Sequence, residues 1–240
     1  TASHNPIPYN GIKLIEDTGI APPPEIAEKI KHIFKEKNFD FIGSVDCGKL
    51  CEEESTYDVH IGKVLDLVDI DMVAANKFSV VLDSVNGAGG PITKQLLEKF
   101  NCDIELVNND PTGLFAHTPE PTKKNLASLC DQVKESGADI GFAQDPDADR
   151  LAIVDENGNY IGEEYTLALA AMYKLSKEKG NAAANLSTSR MIDDVAAKFG
   201  SKVIRTAVGE ANVASAMIKN NCLIGGEGNG GVIYPELHYG

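Results

Sequence analysis

From Lys77 onward the chain alternates short apolar runs with helix-length amphipathic stretches, and that alternation leaves few folds open. FSVVLDSVNGAGG reads as a strand entering a glycine-rich loop, and PITKQLLEKF as the helix that leaves it. CDIELV follows as a strand, TKKNLASLCDQVKESG as a helix and ADIGFAQ as another strand. After the Asn157-Gly158-Asn159 turn the pattern resumes. A helix from Glu163 to Glu178 leads to the strand AANLSTS, the helix MIDDVAAKF, the strand KVIRTA, the helix GEANVASAMIK and the strand CLIGGE. Strands joined through helices pair in parallel. The expectation is therefore an α/β fold of consecutive three-layer α/β/α domains with mixed, largely parallel sheets.

The start of the chain reads differently. Turn signals at Asn10-Gly11 and Asp17 to Gly19 flank a short apolar strand, Ile12 to Ile15. Pro22, Pro23 and Pro24 introduce a helix with Ile26, Ile30 and Ile33 on one face. Residues 40–58 are irregular and acidic, and a linking helix is expected from Val59 to Ala75, with Ile61, Leu65, Val68 and Met72 at helical spacing. The expected domains are 1–58, the C-terminal part of a first α/β domain; 59–158, a second; and 159–240, a third that stops at His-Tyr-Gly with no finished element.

Composition narrows the partners. A net charge of -14 and a pI near 4.7 argue against nucleic acid, which demands a basic face. No apolar run approaches the roughly 20 residues of a membrane span, and no basic-then-apolar leader is present. The five cysteines are odd in number and scattered, with no CxxC pair, which suits free thiols in a reducing compartment. The expected location is the cytoplasm, without a membrane partner.

Ligands of α/β sheets collect beyond the carboxyl ends of strands, and three polar loops stand where chemistry is expected: TASHNP, DPDADR and GEGNGG. In DPDADR, Asp145, Asp147 and Asp149 alternate after an apolar strand, with Arg150 next. Carboxylates so close repel one another unless a cation neutralises them, and hard oxygen donors favour Mg²⁺ or Ca²⁺. The plainer reading is a solvated acidic turn. An EF-hand is rejected, because Arg150 stands where the loop needs Gly and the flanks read as strands. A phosphatase with an Asp nucleophile stays open from a different reaction class. In TASHNP, Ser3 is a candidate nucleophile beside His4, although Ser or Asn before Pro also merely shapes turns. Lys13 is placed to neutralise a phosphate or shuttle a proton. In GEGNGG, Glu227 and Asn229 suit paired sugar hydroxyls on a backbone freed by glycine; a glycine-rich hairpin turn is the alternative.

The three loops in this order, with VVLDSVNGAGG, HTPEPT and RTAVGEANV between them, closely resemble the α-D-phosphohexomutases over essentially the whole chain. The resemblance implies a four-domain enzyme with a central cleft fed by one loop from each domain. It also implies that this chain lacks most of the first domain and the fourth, phosphate-binding one. On that pattern Ser3 matches the serine that carries the phosphoryl group, with His4 its neighbour. Asp145, Asp147 and Asp149 match the Mg²⁺ ligands, with a phosphoserine oxygen at Ser3 completing part of the shell. Arg150 matches the Arg beside the phosphoserine, and Lys13 a Lys proposed for acid/base work. Glu227 and Asn229 match the pair that grips sugar hydroxyls, where many members have Ser in place of Asn229. The implied reaction moves a phosphoryl group between the 1- and 6-positions of a hexose phosphate through a 1,6-bisphosphate, in a monomer or homodimer. GEGNGG and VGEANV, with Glu210 near the site, look most like phosphoglucosamine mutases, with phosphoglucomutase/phosphomannomutase as the alternative. A non-catalytic sugar-phosphate-binding module is the reading from a third class.

Overall fold

The computed structural model describes residues 2–43 and 47–239. Two four-stranded sheets carry most of it. The first is built from β1 (Ser79–Asp83), β2 (Asp103–Val107), β3 (Ile140–Gln144) and β4 (Leu151–Asp155), in the order β2-β1-β3-β4. The second is built from β5 (Ala182–Asn185), β6 (Val203–Thr206), β7 (Ile224–Gly226) and β8 (Val232–Ile233), in the order β6-β5-β7-β8. In each, three strands are parallel and the fourth returns antiparallel from the third as a hairpin. The two units thus repeat one topology, and each places its hairpin loop at the carboxyl end of a parallel strand.

Three layers follow from the strand alternation. Val81 of β1 packs with Leu129 and Val133 of α5 (Ala127–Ser136) on one face, while Val80 and Leu82 meet Leu97 of α4 (Gly90–Lys99) on the other. In the second sheet Ala182 and Ala184 face Leu167 of α6 (Glu164–Lys177) and Ile192 of α7 (Met191–Lys198). Ala183 faces Val213 and Met217 of α8 (Glu210–Asn220). Among the described residues no helix is long and apolar enough to cross a membrane.

Four local expectations are corrected. Ile12 to Ile15 form no strand: no described strand lies beside them, Ile12 is 91% exposed, and an isolated strand has no ladder to stabilise it. α1 (Pro24–Glu36) forms after the prolines as expected, with none of its residues buried. The linking helix is two helices, α2 (Thr56–Leu65) and α3 (Ile70–Ala74). Asp69 breaks it by adopting an extended backbone and accepting the Met72 N–H as an N-cap, a role that suits Asp better than a helix interior. α5 begins only at Ala127, after a turn over 123–126, and β5 ends at Asn185, whose side chain turns the chain by accepting the Thr188 N–H.

HTPEPT is anchored to the first sheet by a buried ion pair. Asp83, at the end of β1 and 1% exposed, accepts hydrogen bonds from Val85 N, Asn108 Nδ2 and His117 Nε2, the last at 3.0 Å. His117 Nδ1 lies 2.9 Å from Thr118 O, so both ring nitrogens face acceptors, an arrangement that favours the protonated ring. The Asp83 bond raises the His117 pKa, outweighing the opposing effect of burial. A group raised on folding contributes stability below its unfolded pKa and loses it as pH rises through the folded value. In calorimetric unfolding, the parent's advantage over Asp83→Asn is expected to be larger near pH 5.5 than near pH 8.5, straddling the unfolded value of about 6.5. A pH-independent difference would contradict the pair.

Candidate active site

DPDADR is the loop of the β3–β4 hairpin, closed by Gln144 opposite Leu151. Ala148 takes a left-handed φ of 58°, which bends the loop so that one oxygen from each of Asp145, Asp147 and Asp149 falls within 4.8 Å of the others. The loop rests on the β1–α4 turn: Ala88 N donates to Pro146 O at 2.8 Å, and a Cβ on Gly87 would stand 2.6 Å from the Pro146 backbone. Asp145 is fully buried, and burial, then the charges of Asp149 and Asp147, push its pKa up to about 7. The Ser3 hydroxyl and the Arg150 N–H, at 2.8 and 3.1 Å, pull it back. An all-oxygen donor set this crowded, with one member forced toward neutrality, fits a hard divalent cation.

Ser3 reaches this loop across the chain. Its backbone is left-handed, with φ of 51°, inside a turn closed by Asn5 N and Asn5 Nδ2 donating to Ala2 O. Its Oγ donates to Asp145 Oδ2 and lies 3.3 Å from His4 Nδ1. Strained backbone of this kind persists where surrounding contacts hold it, often at functional sites. Lys13 Nζ lies 2.9 Å from Asp149 and 3.5 Å from Asp147. Burial acts to lower its pKa, but the Asp149 bond and the charges of Asp149, Asp147 and Glu210 outweigh it and hold it above the usual ammonium range.

GEGNGG is the loop of the second hairpin, between β7 and β8. It docks directly on the first: Leu151 N donates to Gly230 O at 3.2 Å, and Thr166 Oγ1 of α6 donates to Leu151 O at 2.6 Å. Glu227 accepts from Asn185 Nδ2, Gly209 N and Asn229 Nδ2. Glu210 opens α8 after Gly209, whose φ is 118°. Desolvation, then the charges of Asp149, Glu227 and Asp147, push Glu210 up against the pull of Lys13.

A cleft of about 630 Å³ joins these parts, lined by Ser3, His4, Lys13, Asp147, Asp149, Arg150, Glu210, Glu227 and Asn229, with Asp145 directly behind Ser3. All ten residues singled out in the sequence therefore converge. A larger cavity of about 860 Å³ lies between α2, α4 and the first sheet, but its walls are mostly apolar and it meets the acidic loop only at Asp147 and Ala148.

Models of the phosphoglucomutase/phosphomannomutase α/β/α domains I, II and III match residues 1–41, 57–158 and 162–240 in turn. The chain belongs to the α-D-phosphohexomutase family. It is 40% identical to a phosphoglucomutase/phosphomannomutase of Thermococcus kodakarensis, over all of this chain and 53% of that protein. It is 36% identical to a "Probable phosphoglucosamine mutase" of Methanopyrus kandleri, over 99% of this chain and 52% of the other. The chain thus spans about half the length of the curated relatives it matches. A phosphoglucomutase/phosphomannomutase family protein of Burkholderia thailandensis superposes with a TM-score of 0.84 at 25% identity, over all of this chain and 51% of its own.

The phosphohexomutase cleft also holds residues that sequence reasoning passed over. Asn5, Leu237 and His238 line it, and Asn185 and Thr188 hold its glutamate loop. Asn185 carried a usable signal, since it ends a parallel strand. His238 had none, because only folding brings its segment to the cleft.

Gly230 carries the contact between the hairpins. Its φ is 95°, and a Cβ there would stand 2.6 Å from Leu151 O. Gly230→Ala is expected to cost about 1–3 kcal/mol from backbone strain alone, and to weaken Mn²⁺ binding measured by calorimetry. Unchanged melting and unchanged Mn²⁺ affinity would contradict this role for the junction.

Proposed function

We propose that the protein is a phosphohexomutase that shuttles a phosphoryl group between O1 and O6 of a hexose phosphate through phosphoserine at Ser3. The observation that carries this reading is the 2.8 Å contact of Ser3 Oγ with Asp145, in a cleft that Glu227 also lines. It favours a serine carrier over an Asp nucleophile, because the serine loop sits against the aspartates that such a phosphatase would expose. It also favours catalysis over simple sugar binding, which needs no acidic triad beneath a serine.

In the forward half-reaction the free substrate hydroxyl attacks phosphorus on phosphoserine. A new P–O bond forms to the sugar, the P–Oγ bond of Ser3 breaks, and the hydroxyl proton passes through a base to the departing Ser3 Oγ. The resulting 1,6-bisphosphate turns over in the cleft. The Ser3 hydroxyl then attacks the other phosphoryl group: the Oγ–P bond re-forms, the sugar O–P bond breaks, and the serine proton passes to the freed sugar oxygen. Asp145, Asp147 and Asp149 would hold Mg²⁺, which supplies charge neutralisation at the transferring phosphoryl group. Lys13 and Arg150 add cationic and N–H contacts on the same side of the cleft. His4 Nδ1, 3.3 Å from Ser3 Oγ, is within reach of a proton transfer at the serine. Glu227 and Asn229, which line the same cleft, bind sugar hydroxyls and keep either end of the sugar in register.

The lining of the cleft supports glucosamine phosphate as the preferred substrate. Glu210 and Glu227 are carboxylates lining it, and an amino sugar offers them an ammonium group. Phosphoglucomutase/phosphomannomutase activity is the competing specificity, suggested by the name of the Thermococcus relative.

The test uses the protein that carries this chain, with Mg²⁺ and catalytic hexose 1,6-bisphosphate. Ser3→Ala is expected to lower interconversion on the order of a thousandfold or more while leaving Mg²⁺ affinity largely intact. Peptide mass spectrometry should find phosphate on Ser3 of the parent. Free phosphate release with Ser3 unmodified would overturn the mutase reading. Preference for glucose or mannose phosphates over glucosamine phosphate would overturn only the substrate.

A further inference from the structure

Glu227 is held in place from behind by a residue that does not line the cleft. Asn185 ends β5 and is 1% exposed. The obligatory N–H of Thr188 donates to Asn185 Oδ1 at 3.0 Å, and the hydroxyls of Thr188 and Ser187 donate to the same oxygen at 2.7 and 3.0 Å. That backbone donor fixes which end of the amide is oxygen, so Nδ2 must point to Glu227 Oε1, 2.5 Å away. Gly209 N donates to the same Oε1 at 3.0 Å, and Thr188 Oγ1 accepts from Gly228 N at 2.9 Å, tying down the start of the loop. Oε1 thus has two donors from the protein. Among the described residues Oε2 has only the longer 3.3 Å bond from Asn229 and is the oxygen left for a ligand.

We infer that Asn185 is a positioning residue for Glu227: its amide locks Oε1 so that Oε2 meets a sugar hydroxyl or ammonium group at one fixed place. The ligand half of this statement rests on the hexose-phosphate reading above; the coupling of Asn185 to Glu227 does not. The lock joins three elements, the end of β5, the turn before α8 and the β7–β8 loop, so a sugar group held by Oε2 is referenced to the whole second sheet. A carboxylate swinging free on a glycine-rich loop would instead lose side-chain freedom each time it bound.

Asn185→Asp is the discriminating variant. It keeps size and the acceptor for Thr188, but replaces the donor facing Glu227 with an acceptor. Two carboxylates at that separation cannot both be charged, whereas one shared proton restores a hydrogen bond. Glu210, Asp149, Lys13, Arg150 and His238 line the same cleft, and Glu164 lies beside Gly228. All are common to parent and variant, so the parent at each pH is the reference.

The expected result is a dissociation constant for glucosamine 6-phosphate about tenfold above the parent's at pH 8, returning to within about twofold at pH 5.5, with Mn²⁺ affinity unchanged. Asn185→Ala should weaken sugar binding at both pH values. In calorimetric unfolding, Asn185→Asp should melt below the parent at pH 8, and adding Glu227→Gln should recover part of that loss by restoring an amide–carboxylate pair. A pH-independent loss of binding, or no recovery in the double variant, would overturn the positioning role. Recovery in the double variant, with no sugar phosphate bound even by the parent, would instead overturn the hexose-phosphate reading and leave the coupling standing.

Discussion

The cleft depends on the docking of two hairpin loops, Leu151 N to Gly230 O, with Leu151 O closed off by Thr166 of α6. Each hairpin ends a separate four-stranded sheet, and each exposes its loop because the fourth strand returns antiparallel. Joining them at backbone level brings the acidic loop and the glutamate loop together to line one cavity. Backbone contact of this closeness requires a residue without Cβ and with positive φ, which is why glycine stands at 230. The Ser3 turn then completes the site by landing on Asp145.

Electrostatics make the proposed anionic substrate compatible with an acidic chain. Two full carboxylate charges 4.8 Å apart repel by about 3 kcal/mol at an effective dielectric near 20, so the triad is a site of stored repulsion. Lys13 offsets part of this from Asp149 and Asp147, while burial first, and then the charges of Asp149 and Asp147, push the Asp145 pKa upward. A divalent cation held by these carboxylates would relieve the repulsion and make the loop able to anchor a phosphate. The overall charge of -14 therefore governs what the surface repels, while a few cations govern what the cleft accepts.

Much of this was legible in the sequence, for identifiable reasons. The strand–helix alternation after Lys77 is periodic and turn-bounded, and both sheets follow it. The three polar loops stand out because clustered carboxylates and clustered glycines are costly without a purpose. What was not legible depends on partners distant in sequence. Ile12 to Ile15 have strand-forming side chains but no described neighbour to pair with. The helix expected over 59–75 keeps its apolar spacing, yet Asp69 finds a better role as a cap. Val232–Ile233 is too short to announce itself, and it is β7 that defines it. Asn185 reads as one polar residue at a strand end until Glu227, 42 positions later, supplies its partner.

The central claim is that Ser3 and the three aspartates form one metal-centred site. The most direct measurement is an anomalous difference map from a crystal of the protein grown with Mn²⁺. The account predicts one strong peak about 2.0–2.2 Å from an oxygen of each of Asp145, Asp147 and Asp149, with the Ser3 side chain adjoining it. Ordered loops with no peak among these carboxylates, or a peak that leaves Ser3 remote, would contradict it.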